Sequence, residues 1–362
     1  MVAGGTPICI DEYQRAPLVL DSLKALLNSN GSAAATAVIT GSTRHDALPR
    51  TAQALTGRLG VLTILPLSQG EIENNFENFL DRMLVDPDAT VAAKSTSTTP
   101  RNEYIDRVCA GGFPLALRRT GGARDRWFDD YVRLSVERDA VELAHIRQRE
   151  VLGTLLARLA GQTAQVLQLT KAAADLGMKL DSIETYERLL EDLFLVQRLP
   201  AWGKTLRARV ASRPKIHVVD SGLAARLLRL SPSKLGTLDP TALTEFGNLL
   251  ETFVVNELRK QVTWLDQPVT VGHWRTHDGD EVDFVVEDDE GGVLAFEVKA
   301  GDRVPGTDLK GLRKLREALG SRFLAGVALS TGPRSYTAED RIHVVPIDRL
   351  WSPVEEAPPL VG

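Results

Sequence analysis

Cysteine is nearly absent from this 362-residue chain: Cys9 and Cys109 are the only two, and they lack metal-type spacing. A disulfide framework is therefore excluded as a source of stability, and a reducing, cytoplasmic location is expected. No apolar run approaches the roughly 18 residues of a membrane span, and no basic stretch followed by a hydrophobic one opens the chain. No membrane contact is expected. The six histidines are scattered with no pair at ligand spacing, so no metal is assigned to them. Nor does one sign of charge dominate. A formal net charge of −5 gives no global attraction to nucleic acid, so any basic surface must be local. What remains, 43% hydrophobic and 25% charged residues, describes a soluble globular protein long enough for two or three domains.

The most informative stretch is residues 279–300, GDEVDFVVEDDEGGVLAFEVKA. Two alternating runs, Val282/Phe284/Val286 and Leu294/Phe296/Val298, flank the turn-forming cluster 288–292, which predicts an antiparallel hairpin. A loop centred on Glu290 sets opposite each other residues whose numbers sum to 580. Asp283 then faces Glu297, Glu281 faces Lys299, and the period of two puts all four on one side of the sheet. Like charges directly opposite are destabilising, so Asp283 against Glu297 requires a compensator: Lys299 on the same face, or a hard divalent cation. Neutralising Asp283 should relieve that repulsion.

Asp, thirteen residues, Glu, one residue, Lys is a spacing that resembles the PD-(D/E)xK nuclease core. The resemblance implies that Asp283 and Glu297 hold Mg²⁺ and that Lys299 positions or activates water. It also implies a glutamate from the preceding helix. The helical pattern of residues 247–261 supplies Glu251, with Glu257 as a second choice. The plainer alternative is a solvated charge ladder in which Glu281 and Lys299 form a surface ion pair.

Near the start of the chain, the apolar run Ile8-Cys9-Ile10 ends in Asp11-Glu12, and a second strand, residues 37–39, ends in Thr40-Gly41-Ser42. These stretches are followed by LTGR at 55–58, LPLSQGE at 65–71, GGFP at 111–114, Glu137-Arg138-Asp139, DSGL at 220–223, LLETFVVNEL, EVDF and FEVKA. In this order they resemble bacterial AAA-type P-loop ATPases that carry a C-terminal domain of unknown function with a nuclease-like fold. The likeness runs from about residue 5 to Trp351. It implies ATP and Mg²⁺ as cofactors, with Asp11 on Mg²⁺, Glu12 as catalytic base, Thr40 or Ser42 as γ-phosphate sensor and Arg58 as arginine finger. One departure is large: the sequence has no Walker A loop GxxxxGK[ST], whose N–H groups and lysine cradle phosphates. The expectation is that Asp11, Glu12, Thr40 and Arg58 are the back half of a nucleotide site, in a truncated copy or one whose start lies upstream.

Residues 86–101 are polar, small and aperiodic and read as a linker. Tyr104 to Glu142 reads as mostly helical, with Trp127, Phe128, Tyr131, Leu134 and Val141 as core. Three helical segments follow between 151 and 193, the second closed by Gly177 and the third opened by a capping box of Asp181 and Glu184. With the ribbon to Lys215 they make a winged-helix pattern. The third helix is acidic, which argues against base readout, whereas Arg198, Lys204, Arg207, Arg209, Arg213 and Lys215 have no acid between them and could meet phosphate. Beyond the hairpin, residues 308–319 predict an amphipathic helix, and 323–329 and 342–347 two buried strands.

The fold expected is thus multidomain α/β: a partial AAA-type domain at 1–88, a helical and winged-helix region at 102–220, and a mixed-sheet PD-(D/E)xK-like domain at 221–353. The function expected is that of an ATPase-family protein in DNA transactions with a Mg²⁺-dependent nuclease site at Asp283, Glu297, Lys299 and Glu251. The alternative is a non-catalytic interaction or regulatory protein with both sites vestigial. DNA, a protein partner or further copies of the chain are the implied partners.

Overall fold

The computed structural model describes residues 7–16, 18–29, 34–44, 55, 57–136, 149–203 and 213–354. Strands β1 (Ile8–Ile10) and β2 (Ala37–Ile39) pair in parallel, Cys9 opposite Val38. Parallel neighbours require a crossover, and α1 (Leu18–Ser29) provides it. Leu20, Leu23 and Leu27 recur at helical spacing, and that stripe is buried with Tyr13 and Leu55.

The segment expected to be a linker is pinned instead. Asp86 caps a helix at Pro87–Ala92 by accepting from Ala89 N at 3.0 Å, and Ser97 N donates to Pro333 O at 2.7 Å. The short polar residues that suggested disorder are here hydrogen-bonding groups, since the Ser97 and Thr99 hydroxyls both reach Asp348 Oδ2. Next come α2 (Arg101–Ala110) and α3 (Gly121–Leu134), where Phe128 is buried but Leu134, expected in the core, is 52% exposed. Val141 and Glu137-Arg138-Asp139 lie outside the described residues.

Helices α4 (Arg149–Ala160), α5 (Leu169–Leu176) and α6 (Leu180–Asp192) pack with a three-stranded antiparallel sheet ordered β3 (Gln165–Val166), β5 (Lys215–Val218), β4 (Val196–Leu199). Gly177 ends α5 at φ 62, the left-handed conformation that glycine adopts without a Cβ clash. The capping box does not form. Helix α6 starts two residues earlier than it requires, with Lys179 as N-cap, so Asp181 lies in the first turn, where its charge favours the helix dipole.

After α7 (Ser221–Leu227), the 23-residue α8 (Pro240–Val262) runs through the middle of the protein. It is capped by Asp239 and has Pro240 at its first position, a pre-organised start. A mixed six-stranded sheet follows, ordered β10 (Tyr336–Glu339), β11 (Ile342–Pro346), β9 (Phe323–Ser330), β8 (Val293–Lys299), β7 (Glu281–Asp288), β6 (Val269–Arg275). β6, β7 and β8 are antiparallel, and β8, β9 and β11 are parallel. α8 covers one face through Phe284, Val286, Leu294 and Phe296, and α9 (Lys310–Leu319) packs with Val282, Val285, Val293 and Ala295 on the other.

The helical middle and the C-terminal sheet are not separate bodies. One apolar cluster of buried side chains runs from Phe79 through α4 and α8 to Val354. The chain leaving β4 also joins the edge of the large sheet: His273 N donates to Pro200 O at 2.9 Å and Trp202 N to His273 O at 2.6 Å. Gly272 permits that approach, because a Cβ there would lie 2.6 Å from Pro200 O.

Candidate functional site

The hairpin register is the one the sequence predicts: Phe284 pairs with Phe296, Val285 with Ala295 and Val286 with Leu294. Toward Asp283 the pattern breaks. On β6, Gly272 pairs with Val285 and Trp274 with Val282, so Asp283 and Phe284 together stand against His273 alone. Such a two-against-one bulge bends a strand and re-aims its side chains. Val282 therefore packs with Val285 rather than with Phe284, and the expected set of four charges on one uninterrupted face does not form. Glu281 pairs with Arg275 at 3.7 Å instead of with Lys299. Asp283 Oδ2 accepts the backbone N–H of Val298 at 2.9 Å.

Into this opening comes a residue from another sheet. Lys215, first residue of β5 and only 2% exposed, donates from Nζ to Asp283 Oδ1 at 2.8 Å and to Glu251 Oε1 at 2.7 Å. Lys299 Nζ donates to Glu297 Oε1 at 2.8 Å. The structure thus brings Glu251, Asp283, Glu297 and Lys299 together, and supplies the compensating cation from a third source. Glu257, the second choice for the helix glutamate, is elsewhere: it accepts from Gln69 N at 2.8 Å and pairs with Lys260 at 2.6 Å.

Burial and charge decide the protonation states. Burial alone would lower the Lys215 pKa, but the Asp283 and Glu251 carboxylates overcome it and hold the ammonium above its ordinary value. Asp283 is held below the usual carboxylate range: burial would raise it, yet Lys215 and the Val298 N–H outweigh burial. Glu251 is pushed well up by burial and by Asp283. Glu297 is raised to about 8, first by burial and then by the Asp283 charge, with Lys299 opposing. His273 falls to about 4 through burial and Lys215, and buried His217 is held well below its ordinary value for the same two reasons. Both imidazoles are neutral at pH 7.

A Mg²⁺ ion does not fit these donors as they stand. Mg²⁺ demands near-octahedral oxygen ligation at about 2.0–2.1 Å. Both Asp283 oxygens and Glu251 Oε1 are already hydrogen-bonded, two of the three to the Lys215 ammonium. Glu297 Oε2 is a buried acceptor with no partner, but burial and the Asp283 charge raise its carboxyl and favour the neutral form. Among the described residues no group of three or more His, Cys, Asp or Glu side chains is arranged to hold a metal ion.

At the other candidate site the parallel pairing of β1 and β2 brings Asp11 beside Thr40, whose Oγ1 donates to Asp11 Oδ1. Glu12 is held at φ 52, uncommon for a non-glycine residue, and its side chain turns to Arg15 at 3.5 Å. Arg58 does not join them: its Nη1 donates to Asn28 Oδ1 at 2.6 Å, near the end of α1.

Two of the six ribbon cations, Arg198 and Lys215, are taken up by carboxylates, and Arg213 is exposed. Arg198 Nε donates to Glu187 Oε1 at 2.8 Å, and Glu191 lies beside it. Lys215 is buried in the carboxylate cluster, while Lys204, Arg207 and Arg209 lie outside the described residues. Counting charges in sequence missed this because the partners of Arg198 come from α6 and those of Lys215 from α8 and β7. A usable signal was present: Lys215 opens the apolar run Ile216, Val218, Val219, where a lysine on a buried strand demands a carboxylate.

Similarity to known families follows the same division of the chain. The AAA domain family matches residues 2–73, a domain of unknown function (DUF8612) matches residues 101–234, and a domain of unknown function (DUF4143) matches residues 246–350. The first and last support a likeness to AAA-type ATPases. Two proteins described as uncharacterized, from Mycobacterium bovis and Mycobacterium tuberculosis, are each 24% identical over 345 residues, covering 95% of this chain and 69% of their own length. No solved structure matches the chain.

Proposed function

We propose that this ATPase-like chain works as a non-catalytic interaction or regulatory protein, with the nuclease-like cluster converted into a structural ion network. One observation carries the reading: the Lys215 ammonium bridges Glu251 and Asp283, where the resemblance calls for a divalent cation. A cation displacing it would have to expel a buried ammonium and leave it unpaired, a cost of several kcal/mol. Exposed apolar side chains in the N-terminal part support an interaction role. Leu62 and Ile64, each 90% exposed, stand two residues apart on a segment outside any helix or strand, and Phe76 is 79% exposed.

A second reading, a metal-dependent nuclease acting on DNA at Asp283, Glu297 and Lys299, is favoured by the unpartnered Glu297 Oε2. Taking α4, α5 and α6 with β3, β4 and β5 as a winged helix also belongs to that reading, although Glu187 and Glu191 take up Arg198 there. The two readings separate on one experiment. Single-stranded, duplex and branched DNA are incubated with the protein and Mn²⁺, beside an Asp283→Asn variant, and melting is followed with and without the metal. No cleavage and no metal-dependent rise in melting temperature are expected. Cleavage lost in Asp283→Asn would establish the nuclease instead.

A further inference from the structure

A cleft of about 660 Å³ opens between α3 and α7 and shares no residue with the Lys215 cluster. Buried Phe128 and half-buried Leu230 form apolar lining, and Arg124, Arg226, Arg229 and Lys234 stand around it. One carboxylate, Asp125, lines the same space. Cys109 adds no negative charge, since burial pushes its thiol up to about 12.

The cations are unequally engaged. Arg226 donates from Nε and Nη2 to Asp129 at 2.8 and 2.6 Å, which fixes it and spends its charge. Arg124 Nε meets only carbonyl oxygens, Ala116 O at 3.3 Å and Arg119 O at 3.0 Å, so its charge is uncompensated. Lys234 Nζ likewise donates to a carbonyl, Arg229 O at 2.8 Å. Arg229 is exposed, is held at φ 54, and forms no ion pair among the described residues. The result is a recess with an excess of positive charge and an apolar side. Its volume lies inside the roughly 300–1,000 Å³ typical of small-molecule sites.

We propose that this cleft binds a phosphorylated small molecule of nucleoside-diphosphate size, with phosphates on Arg124, Arg229 and Lys234 and the organic part against Phe128 and Leu230. Guanidinium forks match phosphate oxygens bidentately, and an ammonium adds a point charge. The site is separate from Asp11 and Thr40, and it does not depend on whether the Lys215 cluster is catalytic.

The test is titration calorimetry of the full chain with ADP and with pyrophosphate at low salt. The comparison is an Arg229→Asn/Lys234→Gln double variant, asparagine being chosen because it tolerates a left-handed backbone. Saturable binding of both probes is expected, ADP the tighter, with affinity falling at least about tenfold in the double variant while its ligand-free melting temperature is unchanged. An Asp11→Asn variant should bind as wild type. The proposal is overturned by no saturable heat with either probe, by undiminished affinity in the double variant, by loss of binding in Asp11→Asn alone, or by a single-stranded oligonucleotide binding more tightly than ADP.

Discussion

Lys215 Nζ lies 2.8 Å from Asp283 Oδ1, joining residues 68 positions apart and two different sheets. Both side chains are withdrawn from water, so the pair is costly to form and costlier to break. Lys215→Met should strand Glu251 and Asp283 next to each other and destabilise the fold by about 3–5 kcal/mol. Asp283→Asn should destabilise as well, the opposite sign from the relief of repulsion that the hairpin alone suggests. Urea unfolding of both single variants and the double variant checks this, the double losing less than the sum of the singles. Additive losses would mean the two side chains do not interact.

Glu297 gives the cluster a pH signature. Its folded pKa of about 8 is above the ordinary carboxylate value of 4.5, so the native state keeps a proton that the unfolded chain has lost. The contribution of a raised carboxyl is fully present below the ordinary value and is lost as pH rises through about 8. Stability should therefore decline between pH 6.5 and pH 8.5, with Glu251, also raised, acting in the same direction; below that window the lowered His217 and His273 oppose the decline. Asp283, lowered, opposes only at acid pH, below its ordinary value. Glu297→Gln should flatten the decline and gain on the order of 1–3 kcal/mol over wild type at pH 8.5. Melting curves at the two pH values decide it; an unchanged slope would show that Glu297 ionises without penalty.

The extent to which this was legible in the sequence follows the range of the interactions. The hairpin register follows from alternation and a turn cluster, both local, and so does the α5 cap at Gly177. The bulge at Asp283 was not legible, because it arises from β6 meeting β7, where Pro200 and Trp202 dock against His273. Lys215 was misassigned for the same reason: its strand reads as a basic ribbon until α8 and β7 close over it. The 86–101 segment looked unstructured because its partners, Pro333 and Asp348, lie some 250 residues away by sequence separation.

At the Asp11–Thr40 site ATP should bind weakly. Asp11 is hydrogen-bonded to Thr40, Arg58 is turned to Asn28, and the sequence contains no phosphate-cradling GK[ST] loop. Asp11→Asn should leave the unfolding free energy within about 0.5 kcal/mol of wild type, since both partners are exposed and a neutral amide keeps the bond. Calorimetric titration with MgATP that is blocked by Asp11→Asn at micromolar concentration would contradict this.

Gly272→Ala tests the seam between the middle of the chain and the large sheet. The added Cβ would lie 2.6 Å from Pro200 O and 3.0 Å from Trp202 N, so backbone rather than a flexible side chain would have to move. Overpacking of this kind costs typically about 1–3 kcal/mol. The strain should be relieved where the seam is thinnest, by withdrawing Pro200–Trp202 from His273, since two backbone hydrogen bonds join them there. Trp202, buried and donating from Nε1 to Glu287 Oε2 at 2.9 Å, would then meet water, and its fluorescence should shift to longer wavelength before global unfolding. Lys215 lies on the strand that follows this connection, so the same variant should also weaken its grip on Asp283 and reduce the destabilisation seen when Lys215→Met is added. A Gly272→Ala protein with unchanged fluorescence and a full additive loss with Lys215→Met would show that the seam does not hold the ion cluster in place.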